Sequence, residues 1–192
     1  MEMNIEELKE KNFKMFLDTC EKVGVEELKM SDELSEKIKN ATFSLTTDTK
    51  TAYDGSYLNV MLKVLIPYAI SINDMLPIEM KINKKSIIKV GLFLQIAKAE
   101  MFMKNDNAWE VEKRHMVYKY APNTLALKMG MRSVILAQEM GVTFTREEME
   151  AMTIIDRGND DAQANFFSST LSVIIKQAYD LTMLQLRMLN KK

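Results

Sequence analysis

The side chains that could take part in catalysis are few in this chain of 192 residues. It has one histidine, His115, and one cysteine, Cys20. Cys20 lies in an amphipathic segment, which predicts a core thiol, and a single cysteine excludes both an internal disulfide and a CxxC zinc site. His115 has no partner at helical spacing that would make it a general base, so we expect it at the surface or in a loop.

An acidic cluster is the other candidate for chemistry. It comprises Asp156, Asn159, Asp160 and Asp161, whose oxygens suit a hard cation. The cluster lacks the spacing and the closing glutamate of a calcium loop. Loop residues of these types that bond their own backbone explain it equally well.

Composition limits the classes of partner. The formal net charge is -1 and charges of both signs are interspersed, so neither nucleic acid nor a membrane surface is expected. Trp109, Tyr118 and Tyr120 could stack on a base, but without a basic groove we expect packed aromatics. The first residues lack the blocks of a signal peptide and no apolar run would span a bilayer, which predicts a cytoplasmic protein.

The elements that must position these side chains are predicted to be long helices, because only three prolines and six glycines interrupt the chain. The pattern predicts a single all-α domain over residues 1–192, a helical bundle of six to eight helices. Residues 1–45 form its N-terminal helical flank, packed on the core. Residues 109–121 alternate loosely in polarity and predict a short β-hairpin or an extended excursion.

Local signals place the ends of most helices. The predicted helices are 4–23, 31–41, 56–74, 86–102, 125–141, 145–155 and 169–189, with a loop at 42–55. The predicted N-caps are Ser31 or Asp32, Asn83 or Ser86, Asn123 or Thr124, and a Thr145–Glu148 capping box. Gly24 is placed to end the first helix, and Pro67 predicts a kink. The stretch SIIKVGLFLQIAKAEMF, residues 86–102, is typical of a buried helix with Gln95 at its centre.

Three stretches of the chain carry a resemblance to a known family. They are TTDTKTAYDGSYLNVMLKV (46–64), INKKSIIKVGLFLQIAKAEMF (82–102) and MGMRSVILAQEMGVTFTREEMEAMTIIDRGNDD (129–161). Their order and spacing resemble the HD-domain metal-dependent phosphohydrolases, in particular a compact bacterial and phage branch. The first is similar to the loop before the first ligand helix, the second to the helix of the His-Asp pair, and the third to the Gly-x-Lys/Arg-Ser helix and its acidic successor. The flanks 16–44 and 171–185 also fit.

The resemblance places almost all of the family's metal ligands on residues of another kind. The corresponding positions are Val60, Leu94, Gln95, Met129, Asp156 and either Tyr179 or Asp180. Valine, leucine and methionine have no donor suited to a hard or borderline cation, and Gln95 has one neutral carbonyl oxygen. We therefore expect no metal, no cofactor, and a former metal cavity filled by apolar side chains. Gln95 should bond a neighbour such as Tyr179, Asp180 or a water.

Three hypotheses about function remain open at this point. The first is a non-catalytic HD-like domain, a pseudo-phosphohydrolase that acts in interaction or regulation with an unidentified protein partner, and as a homo-oligomer given its methionine-rich composition. The second is a module that binds a small molecule or nucleotide, with phosphate contacts from Lys98, Lys128 and Arg132. The third is a phosphohydrolase with a metal site rebuilt from carboxylates, namely Asp156, Asp160, Asp161 and Asp180.

Overall fold

Helices make up most of the protein in a computed structural model, which describes residues 4–47, 50–122, 124, 126–156 and 168–189. The described residues are 66% helical and contain one two-stranded sheet. In these ranges the elements are α1 (Ile5–Lys22), α2 (Asp32–Asn40), α3 (Ser56–Val60), α4 (Ile66–Met75), α5 (Lys84–Phe93), α6 (Lys98–Met101), β1 (Phe102–Lys104), α7 (Ala108–Arg114), β2 (Tyr118–Tyr120), α8 (Met129–Glu139), α9 (Arg146–Thr153) and α10 (Thr170–Leu189). The predicted all-α bundle is confirmed: with α3 and α4 counted as one helix and the single turn α6 left out, the described residues contain eight helices.

Local signals fix the start of α2 and the end of α1. The Ser31 hydroxyl accepts a hydrogen bond from the N–H of Leu34 at 3.1 Å and so satisfies a free donor of α2. Gly24 follows α1 in the left-handed conformation, with a φ of 88°, which stops the helix. The boundaries predicted from these two residues agree with the structure.

The helix predicted over residues 56–74 is continuous but irregular. A π-helical turn, Met61–Leu65, joins α3 to α4. Pro67 follows this turn, has no N–H to donate, and crowds the carbonyl group four residues earlier. The irregularity predicted at Pro67 thus takes the form of a widened turn just before it.

The excursion predicted near residues 109–121 contains a helix as well as a hairpin. Strands β1 and β2 pair antiparallel, with Phe102 opposite Tyr120, and α7 lies in the connection between them. Residues 109–114 are helical because the Asn107 side chain caps the N–H groups of Trp109 and Glu110. The loose alternation of polarity did not show this cap.

The isolated histidine and the aromatic residues lie in this excursion. His115 ends α7 with a φ of 54° and is exposed, as predicted. Tyr118 is buried and its hydroxyl donates to the Asp54 carboxylate at 2.6 Å. Trp109 is 60% exposed, so the prediction that it packs in the protein is wrong. It stands on α7, which was not predicted as a helix.

Two predicted helices have different bounds in the structure. The segment 86–102 is not one helix, because α5 ends at Phe93 and α6 begins at Lys98. Helix α8 begins at Met129, four residues later than predicted. Thr124 does not cap it, since its hydroxyl donates to the carbonyl of Ala121, and Asn123 lies outside the described residues.

The remaining helices agree with the sequence. Thr145 and Glu148 form the predicted capping box at the start of α9, with both reciprocal hydrogen bonds present. Helix α10 matches the predicted range to within one residue. Residues 157–167, which include most of the acidic cluster, lie outside the described part of the chain.

One hydrophobic cluster draws buried side chains from α1, α2, α3, α4, α5, α8, α9 and α10. Cys20 belongs to it and is 1% exposed, and burial raises the pKa of its thiol to about 12. The predicted core thiol is therefore confirmed. No helix in the described residues has the length and apolar character needed to cross a membrane.

Candidate functional site

A tight turn at Leu94 and Gln95 interrupts the apolar segment between α5 and α6. Leu94 has φ and ψ of -58° and 120°, Gln95 has a φ of 63°, and the N–H of Ile96 donates to the carbonyl of Phe93 at 3.1 Å. These values are those of a type II turn, whose third residue normally is glycine. A side chain in the left-handed region costs about 1 kcal/mol or more, so surrounding contacts must hold Gln95 there.

Side chains from two other helices hold this turn. The Tyr57 hydroxyl on α3 lies 3.0 Å from each of the carbonyl oxygens of Leu92 and Leu94, and it is fully buried. The Ser133 hydroxyl on α8 accepts from the N–H of Ala97 at 3.3 Å. Each contact satisfies a backbone group that the break in the helix leaves without a helical partner. The turn is thus fixed by tertiary contacts.

The Gln95 amide makes one of the contacts predicted for it, the one with Tyr179, and leaves one atom unsatisfied. Its Nε2 donates to the Tyr179 hydroxyl on α10 at 3.1 Å, while its Oε1 is buried without a partner among the described residues. Rotating the amide would only transfer the unsatisfied position to Nε2. Burial raises the pKa of Tyr179, and the hydrogen bond from Gln95 opposes this. Both groups are therefore neutral near pH 7.

Lys98 follows the turn and is the least expected buried cation. It is 6% exposed, its ammonium donates to the carbonyl of Phe43 at 2.7 Å, and it lies 3.7 Å from the centre of the Phe43 ring. Loss of water lowers the pKa of Lys98 to about 7. A neutral amine is a potential nucleophile. Here its burial and its hydrogen bond to the backbone keep it away from a substrate.

Two positions that the resemblance assigns to histidine ligands are filled by core side chains. Val60 is 2% exposed and Leu94 is 0% exposed, and both belong to the hydrophobic cluster. Met129 begins α8 and is half-buried. These positions contain hydrocarbon and one thioether, which suit packing better than the coordination of a hard cation.

The two aspartates of the resemblance have different partners. Asp156 accepts a hydrogen bond from the N–H of Gly130 at 2.7 Å and so caps α8 from a distant part of the chain. Burial raises the pKa of Asp156, while backbone donors including Gly130 oppose the rise. Asp180 is exposed and pairs with Lys176 at 2.6 Å on α10. The structure brings Gln95 and Tyr179 together, but gives these carboxylates separate roles.

Carboxylates do not gather elsewhere into a metal centre within the ranges given above: no three His, Cys, Asp or Glu side chains there could share an ion. Asp160 and Asp161 lie outside those ranges, as does Asn159. The hypothesis of a rebuilt carboxylate site depends on them and stays untested.

The three cations predicted to bind phosphate have different surroundings. The Lys98 ammonium donates to the carbonyl of Phe43, and the Lys128 ammonium lies 3.3 Å from the carbonyl oxygen of Asp156. Arg132 lines a cavity of about 300 Å³ between α6 and α8. Ligand binding through all three together stays a prediction, and Arg132 alone of the three lines this cavity.

A scan against protein families finds no match for the chain, and neither a search of curated proteins nor one of solved structures finds a similar protein. The resemblance to HD-domain phosphohydrolases therefore rests on the sequence alone.

Proposed function

We propose that the chain is a non-catalytic helical domain of the HD type, working by interaction or regulation. The supporting observation is that packed or hydrogen-bonded side chains occupy the positions that the resemblance assigns to metal ligands. Leu94 and Val60 are packed in the core, and the Gln95 Nε2 and the Asp156 carboxylate bond other protein groups. A buried charged cluster replaced by well-packed apolar residues is often neutral or stabilising, so a metal-free scaffold of this kind can persist.

The first experiment measures metal content and hydrolysis. Purified protein, incubated with manganese and then desalted, is analysed for bound metal and assayed on nucleotides and simple phosphoesters. We expect far less than one ion per chain and no turnover above buffer. Stoichiometric metal with turnover would contradict the proposal. If Asp156→Asn abolished that turnover, the hypothesis of a rebuilt carboxylate site would replace the proposal.

The interaction part of the proposal includes a homo-oligomer in the cytoplasm. Helix α10 carries exposed apolar side chains: Leu181, Leu184 and Met188 are 41%, 54% and 62% exposed. When a second copy covers such a face, its apolar surface is removed from contact with water, which favours association. We expect sedimentation velocity to show a dimer or larger species that Leu184→Glu dissociates. A wild-type monomer at all concentrations would contradict this part.

A further inference from the structure

A cavity beside the strained turn has the charges of a ligand site. Its volume is about 300 Å³, at the lower end of the range for small-molecule pockets. The apolar floor consists of Ala97, Met101, Ile135 and Leu136, and the charged side chains are Glu100, Arg132 and Glu139. The short helix α6 supplies one wall, and the turn at Gln95 together with the Ser133 contact sets the position of α6 against α8.

Arg132 is the single positive group of this cavity. Its Nε donates to the carbonyl of Leu127 at 2.9 Å, which fixes the guanidinium while leaving its terminal nitrogens available. Within the described residues no carboxylate forms an ion pair with it. A guanidinium held in this way is suited to a carboxylate with two oxygens.

Glu139 lies at a distance from Arg132 on the same helix. Arg132, Ile135, Leu136 and Glu139 are spaced i, i+3, i+4 and i+7 on α8, so they share one face. Arg132 and Glu139 are therefore roughly 10 Å apart along the helix axis, with apolar side chains between them. Glu100 adds a second carboxylate from α6. The cavity has a positive site, an apolar middle and a negative site.

We propose that this cavity binds a small zwitterion with an apolar body, of the size of a dipeptide. The ligand carboxylate would bind Arg132, its ammonium would bind Glu139, and its side chains would cover the floor. Two extended residues span roughly 7 Å, which the flexible Arg132 and Glu139 side chains can bridge. A nucleotide fits this charge arrangement less well, because its phosphates would face two carboxylates.

The site is distinct from the filled positions at Val60 and Leu94. The two proposals can therefore fail separately. Metal-dependent turnover would contradict the non-catalytic function but would leave ligand binding in this cavity unaffected.

Titration calorimetry with leucyl-leucine tests the proposal directly. We expect saturable binding that is weakened at least tenfold when the ligand carboxylate is amidated, and likewise when its amino group is acetylated. Arg132→Gln should weaken the binding of leucyl-leucine at least tenfold. It should leave the affinity for leucyl-leucine amide unchanged, because the amide already lacks the carboxylate that Arg132 would bind. Arg146→Gln, an exposed arginine at the start of α9, is the matched control and should bind as the wild type does.

Glu139→Gln keeps the test decisive if Arg132→Gln does not fold, because Glu139 is exposed. It should weaken the binding of leucyl-leucine at least tenfold and leave the affinity for the acetylated dipeptide unchanged. Absence of saturable binding to the wild type, or binding indifferent to both blocked termini, overturns the proposal. ATP binding that Arg132→Gln abolishes would overturn it in favour of a phosphate site.

Discussion

Gln95 occupies a backbone conformation that glycine adopts without strain. Its φ of 63° is held by contacts of the turn and by the hydrogen bond to Tyr179. Strained residues persist only where their surroundings over-determine them, and they are frequent at functional sites. Here the turn that contains the strained residue redirects the chain into α6, and α6 forms a wall of the cavity.

Substituting Gln95 measures this strain. Gln95→Gly and Gln95→Ala both lose the amide and its hydrogen bond to Tyr179, but only alanine keeps the left-handed penalty. We expect the glycine variant to have the larger free energy of unfolding, by about 1 kcal/mol, in urea denaturation. If alanine equals or exceeds glycine in stability, the turn carries no strain at this residue.

Lys98 gives the protein a pH dependence with a definite sign. Its pKa is lowered from 10.5 to about 7 by burial, so between these values the unfolded state binds a proton that the folded state lacks. The free energy of unfolding should therefore rise between pH 7 and pH 9, by about 2 kcal/mol from this group. Below pH 7 both states are protonated and the dependence ends.

Comparison with Lys98→Met isolates that contribution in chemical denaturation across the same pH range. The variant should lack the rise, while Lys128→Met, which removes an exposed lysine, should retain it. A wild-type curve parallel to that of Lys98→Met would show that Lys98 keeps an ordinary pKa when buried.

Among the elements, the junction of α8 and α9 leaves no room for a side chain at Gly130. A Cβ atom on Gly130 would lie 2.5 Å from the carbonyl oxygen of Met152 and 2.8 Å from the Cα of Thr153. These are backbone atoms of α9, so the two helices would have to separate. Gly130 is required for the close approach, and its N–H carries the cap from Asp156.

We expect Gly130→Ala to lower the free energy of unfolding by about 2 kcal/mol or more, because it overpacks a contact between backbones. Gly24→Ala is the matched control: Gly24 has a φ of 88° and open space around its Cα, so it should cost only about 1 kcal/mol. Thermal and urea unfolding check both. Equal losses would mean that α8 and α9 adjust freely.

Element boundaries could be predicted where their cause was local. Ser31 and the Thr145–Glu148 box act within three residues and were found in the sequence. The break at Gln95 was missed because its contacts come from Tyr57 and Tyr179, distant in the chain, and glutamine gives no turn signal. Only the Tyr179 contact itself was anticipated, as a result of the family resemblance.

The start of α8 was placed too early for the same reason. Its cap is Asp156, which follows Gly130 by 26 residues, and no local pattern connects them. The cavity charges were also only partly predictable. Arg132 was named as a ligand contact, whereas Glu100 and Glu139 gain significance only from the packing of α6 against α8.

For the whole molecule, the central claim is that an HD-type scaffold has lost its metal site to packing. A metal that binds only the folded state must stabilise it in proportion to its affinity and concentration. The most direct measurement is the thermal unfolding of the protein with and without manganese at about 1 mM, with Asp156→Asn alongside. We predict the same unfolding temperature in both conditions. A clear rise with manganese in the wild type, lost in Asp156→Asn, would contradict the claim.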